Sequence, residues 1–88
     1  MNITAEKYDV RYGVGVRIRE LREAQGLSQY FFAAMVGIDR GYLIGIEKGR
    51  RNVSIDILTK IAMGLDVRVA DLFTYTNVEF QDSLPSHL

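Results

Sequence analysis

The chain reads as all-α: five short helices in one domain. Three observations carry that reading. Apolar residues recur at three- and four-residue spacing, and strand-like alternation is nearly absent before residue 74. Ser or Asp precedes three of the periodic runs, and glycines stand where three of them stop. The connections between runs are short, as helical bundles favour. With 88 residues there is room for one core and not for two.

Each element follows from its own residues. Val14, Ile18 and Leu21 lie at i, i+4 and i+7, ringed by Arg17, Arg19, Glu20, Arg22 and Glu23, so the first helix is amphipathic and stops before Gly26. The segment from Lys7 is a candidate to extend it upstream, although Gly13 and Gly15 weigh against this, since each costs about 0.5–1 kcal/mol in a helix interior. Residues 1–13 are therefore expected to form an N-terminal extension, 14–74 the domain and 75–88 a tail. Ser28 caps a second helix, about residues 29–36, terminated by Gly37; no Glu or Gln follows Ser28 at three residues, so the cap lacks its reciprocal half. Asp39 caps a third, about 40–48, closed by Gly49. Ser54 caps a fourth, in which Ile55, Leu58, Ile61, Ala62 and Leu65 form one stripe that Asp66 and Val67 break. Val69, Leu72 and Phe73 supply a fifth. Beyond it Tyr75, Val78 and Phe80 suit a short strand or an arm, and the last residues should fray.

Composition narrows the function. Almost half the residues are apolar and a quarter are charged, as in an ordinary globule. No cysteine is present, which excludes disulfides and thiolate metal sites, and the single His87 stands beside the tail's Pro85. With no paired carboxylates at a telling spacing, an enzyme has no acid–base constellation to use, and no cofactor is expected. No apolar run approaches the roughly 20 residues of a membrane span, and the first ten residues do not resemble a signal peptide. A cytoplasmic protein is expected. The net charge is zero, but its distribution is not even. Residues 17–51 carry seven basic against four acidic side chains, and residues 52–88 carry two against five. A basic middle is compatible with a polyanion on one face.

The stretch "QYFFAAMVGIDRGYLIGIEK", residues 29–48, combines two helices and a turn. Ala33 is small enough for two helices to cross at close range, Gly37 accepts the positive φ of a tight turn, and Ile38, Leu43 and Ile46 anchor the second helix. These are the positions of a helix-turn-helix. In that second helix, at 100° per residue with Leu43 at zero, Ile46 falls at about 300° and Tyr42 at about 260°. Gly41, Gly45 and Lys48 point the opposite way, at about 160°, 200° and 140°, with Ile44 and Arg40 on one flank. Two glycines on the outward face leave the backbone free to approach another surface. In a helix-turn-helix that surface is the DNA major groove. Arg40, in the first turn, can pair with guanine O6 and N7, or else clamp a phosphate; Ile44 can meet a thymine methyl, or else be a bystander. Arg40, Gly41, Ile44 and Gly45 are thus the expected base-facing set.

From "GVRIRELREAQGLSQ" through "GIDRGYLIGIEKGRRNVSIDILTKIAMGLDVRVADLF", about residues 14–73, the chain resembles the lambda repressor and Cro DNA-binding domains of the XRE-type family. The resemblance implies a five-helix lambda-repressor-like fold and a transcription regulator that binds double-stranded DNA. Within the family, "DRGYLIGIEKGRRN" is most similar to restriction–modification controller proteins. Gln29, at the start of the second helix, matches a glutamine that grips the DNA backbone, a role the free amides there also favour. Arg22 matches an arginine that contacts phosphate and pairs with an acid of the recognition helix, here Glu47. Arg50, Arg51 and Asn52 match a loop laid along phosphates, Lys48 points outward beside them, and Tyr42 matches a position at the sugar-phosphate edge.

One recognition helix spans too few base pairs for a unique site, so a homodimer on a palindromic operator is expected. Ile57, Met63, Val67 and Val69 exceed what the core needs and are the expected dimer surface. The second helix departs from the family in exposing Tyr30, Phe31 and Met35. The N-terminal extension is expected to pack over them; a protein partner would use them instead, and an antitoxin bound to a toxin protein is the alternative function.

Overall fold

A computed structural model describes residues 9–74; the segment 1–8 and the tail with Tyr75, Val78, Phe80 and His87 lie outside the described residues. Helix α1 runs Val10–Ala24, four residues earlier than the domain boundary read from the sequence. Its N-cap is Asp9, whose Oδ1 accepts from the Arg11 amide at 3.0 Å. Gly13 and Gly15 therefore sit inside the helix, against their propensity. For Gly15, packing is the reason. A Cβ on Gly15 would collide with the carbonyl oxygen of Ile46 and reach that of Glu47 at 2.9 Å. Only a residue without a side chain lets α1 lie this close to the backbone of another helix.

Helix α2 spans Gln29–Val36 and α3 spans Arg40–Glu47. Ser28 Oγ accepts from the Phe31 amide, so the N-cap forms without its reciprocal half. Gly37 takes φ 76°, and the Ile38 amide donates to the Ala33 carbonyl at 3.0 Å. That is a helix end that satisfies two otherwise orphaned carbonyls and reverses the chain into α3. Asp39 caps α3 through the Tyr42 amide at 3.1 Å, and Gly49 leaves it at φ 72°.

Helix α4 covers Ile55–Leu65, capped by Ser54 and ended by Asp66 in the left-handed region at φ 58°. The fifth element, Val69–Phe73, is a 3-10 helix rather than an α-helix. Five residues bounded by Arg68 and Thr74 favour the tighter winding. The core is common to all five elements. Ile18, Phe32, Leu43, Ile46, Ile61, Leu65 and Leu72 are fully buried, each contributing about 1.5–3 kcal/mol by leaving water. Gln25 Nε2 donates to the Leu65 carbonyl and Arg17 Nε to that of Asp71, which tie α1 to the last two elements. Among the described residues the fold is all-α, without a strand. No helix there is long and apolar enough to cross a membrane.

Candidate nucleic-acid interface

The turn at Gly37 sets α2 and α3 as a helix-turn-helix with Ala33 buried at their contact. Leu43 and Ile46 hold α3 on the core, which turns the opposite side of the helix outward. Arg40 and Gly41 are exposed at its first turn. A Cβ on Gly41 would meet nothing beyond the Asp39 carboxylate of its own cap, so this part of the face is bare. None of the ion pairs among the described residues involves Arg40. Its guanidinium is available to a ligand.

Gly45 differs. A Cβ there would approach Arg51 Cγ at 2.9 Å and Nε at 3.0 Å. The Arg51 side chain folds back across the second glycine, and its guanidinium carbon lies 5.7 Å from the centre of the Tyr42 ring. The bare face is thus open at Gly41 and carries a flexible cation at Gly45. Tyr42 itself is half-buried, with one side on the core and the other toward Arg51.

The loop after α3 divides its side chains. The Arg50 amide donates to the Gly45 carbonyl at 2.8 Å, and its side chain joins Tyr12, Arg19 and Lys48 on the α1 side. Arg51 goes toward Tyr42 instead. Asn52 stands apart from both, at the mouth of an apolar groove between Val10, Val14, Val53, Ile55 and Phe73. Gly49 belongs to the same junction: a Cβ there would meet Tyr12 Cα at 2.8 Å, so the start of α1 clamps the end of α3.

Beneath the face lies a polar centre. Arg22 donates from Nε to Glu47 Oε2 at 2.7 Å and from Nη2 to Glu47 Oε1 at 3.0 Å, a bidentate pair. Gln29 Nε2 adds a third bond to Glu47 Oε1 at 3.0 Å, and Arg22 Nη1 donates to the Leu27 carbonyl. The side chains of Arg22 and Glu47 are only 7% and 2% exposed. The Glu47 carboxylate, through those bonds, holds the Arg22 guanidinium above its ordinary pKa, so the arginine keeps its charge throughout the range in which the protein folds. The pairing of Arg22 with Glu47 is the one the resemblance implies, and the structure adds that it is buried and joined by Gln29. It locks α1, the start of α2 and the end of α3 into one unit, and it leaves Arg22 buried behind the interface rather than extended from it.

Ile44 is half-buried and lines a concavity with Arg19, Arg22, Glu23, Gln29 and Lys48. Arg19 and Glu23 have no role in the sequence reading, because helical spacing makes them an ordinary exposed pair. Only the approach of α3 to α1 places them beside Lys48. Of the expected dimer surface, Met63 is 75% exposed, whereas Ile57, Val67 and Val69 pack partly on the core. Tyr30, Phe31 and Met35 are 73%, 55% and 46% exposed. The described part of the N-terminal extension, from Asp9 to Gly13, does not cover them: it reaches Gly49 and the apolar groove instead.

Comparison with known proteins agrees with this geometry. A family model described as helix-turn-helix matches residues 18–72. The control protein C.MunI of a Mycoplasma species is 42% identical over 67 residues, covering 75% of this chain and 90% of that protein. The restriction–modification controller protein C.AhdI from Aeromonas hydrophila has a crystal structure that is 46% identical with a TM-score of 0.70, over 72% of this chain and 96% of that one. The biofilm regulator SinR, solved in complex with DNA, is 37% identical with a TM-score of 0.65, over 67% and 95% of the two chains. Its helix-turn-helix and these likenesses place the chain in the XRE-type helix-turn-helix family of DNA-binding transcription regulators, similar to the restriction–modification controller proteins.

Proposed function

We propose that the protein acts as a homodimer on a palindromic operator, as a controller-type regulator, with α3 in the major groove and its Gly41 face toward the bases. The observation that carries this reading is the pairing of a bare helix surface at Gly41 with an Arg40 that no acid engages among the described ion pairs. Without side chains on that face the backbone can approach base edges, and Arg40 at the leading turn reads a guanine through O6 and N7. Ile44, on the flank, meets a thymine methyl. Lys48, Arg50 and Arg51 engage phosphates around this centre, with Tyr42 at the sugar edge and Asn52 farther along the strand. Gln29 and the first amides of α2 take a phosphate in the concavity that Lys48 also lines. Arg22 supports them from behind through Glu47.

Dimerisation through Ile57, Met63, Val67 and Val69 sets two α3 helices about one DNA turn apart, roughly 34–36 Å. The similarity to C.MunI and C.AhdI supports the controller role. Footprinting on the DNA upstream of the protein's own gene, with light scattering at micromolar concentration, tests the proposal. A two-fold symmetric footprint and a dimeric mass are expected; a monomer, or equal affinity for that DNA and a random duplex, would remove it. The antitoxin reading draws on the exposed Tyr30, Phe31 and Met35. A stoichiometric complex with the product of an adjacent gene, lost on Phe31→Asp, would favour it.

A further inference from the structure

The concavity between α1, the start of α2 and α3 contains two cations free of the buried centre, Arg19 and Lys48, and one carboxylate, Glu23. Arg22 belongs to the same wall but is already committed to Glu47 and to the Leu27 carbonyl. Arg19 Nε donates to Glu23 Oε2 at 3.1 Å, across one turn of α1, and both side chains are more than half exposed. The same Glu23 oxygen lies 3.9 Å from Arg22 Nη2. We infer that Glu23 limits the affinity of the interface for DNA by occupying Arg19, which would otherwise bind a phosphate seated between Arg19, Gln29 and Lys48. The inference rests on the DNA-binding reading above and adds two residues to it.

The physical reason is competition for one guanidinium. An exposed i, i+4 ion pair is held weakly, because water screens it and two long side chains must be ordered. A phosphate offers Arg19 a charge-assisted contact of greater strength, and the exchange releases a condensed counterion from the DNA. The carboxylate left behind still faces the bound phosphate and repels it. Glu23 therefore acts twice, first by holding Arg19 and then by opposing the polyanion.

Glu23→Gln keeps the shape and removes the charge. Binding to an operator duplex and to a random duplex of equal length, between 50 and 200 mM salt, reads the effect. The variant should bind both duplexes roughly three- to tenfold more tightly at 50 mM, with a log–log salt slope steeper by up to about 0.9, the value for one fully added phosphate contact. Adding Arg19→Ala should remove the larger part of the gain and leave only the share due to the lost repulsion. An unchanged urea midpoint checks that the fold is intact, as the exposed pair implies. Affinity equal to or below that of the natural protein would overturn the inference, as would a gain that survives Arg19→Ala undiminished. If the natural protein retards neither duplex, the DNA-binding reading itself fails, which a null result from Glu23→Gln alone does not imply.

Discussion

Replacing Glu47 with alanine removes the acceptor of three hydrogen bonds and leaves a guanidinium buried without its counter-charge. In the folded protein Arg22 has 7% of its side chain exposed, and after the change the Leu27 carbonyl is its remaining described hydrogen-bond partner, with the exposed Glu23 carboxylate 3.9 Å away. Truncating one member of a buried pair costs about 3–5 kcal/mol, because the surviving charge keeps its desolvation penalty. A domain of this size has a total stability of only about 5–10 kcal/mol. In the 60–100-residue range, each kcal/mol moves the melting temperature by about 4–8 °C. The expected fall is therefore at least about 12 °C, with the urea midpoint dropping by about a third or more. Urea denaturation followed by far-ultraviolet circular dichroism measures it. The double variant Arg22→Met/Glu47→Leu should recover most of the loss, since it removes both charges and fills the space. A loss below about 1 kcal/mol for Glu47→Ala, the size of an exposed pair, would refute the view that this centre is desolvated and ties the three helices together.

Four other outcomes follow from the same geometry. Gly15→Ala should destabilise the fold by about 1–3 kcal/mol despite alanine's better helix propensity, since its Cβ meets the backbone carbonyls of Ile46 and Glu47; a melting temperature at or above the natural one would contradict the close approach. Gly45→Ala displaces only the flexible Arg51 side chain, so stability should hold or rise by up to about 1 kcal/mol while operator affinity falls; unchanged affinity in a retardation assay would show that this face does not meet DNA. Arg40→Ala should lose about 1–3 kcal/mol of preference for the operator and keep most of its non-specific binding, whereas equal losses on both duplexes would reduce Arg40 to a phosphate contact. Arg51→Ala should weaken all sequences alike and lower the salt slope by about one unit; an unaltered slope would remove Arg51 from the backbone contacts.

Much of the fold and part of the site were legible in the residues alone. Ser28, Asp39 and Ser54 act on the amides of their own first turns, and Gly26, Gly37 and Gly49 take positive φ where the chain must turn. Such interactions span a few residues, so local order suffices to read them. The outward bearing of Gly41 follows in the same way, because Leu43 and Ile46 fix which side of α3 is buried. The start of α1 was left open by the sequence, since Gly13 and Gly15 weigh against a helix there and only the backbone of α3 lying against Gly15 explains why it tolerates one. Nor was the second glycine's partner, because nothing in the order of residues says that Arg51 doubles back over Gly45.

The sequence by itself determined the capped starts of α2, α3 and α4, the helix-turn-helix and the outward bearing of Gly41, because each depends on contacts within one or two turns. Only the tertiary structure decided that Arg22, Gln29 and Glu47 form one buried centre, that α1 lies directly on the backbone of α3, and that Glu23 and Arg19 share a wall with Lys48. The difference is physical. Desolvation and close approach depend on what lies opposite, and residues far apart in the chain meet only after the core has closed around them.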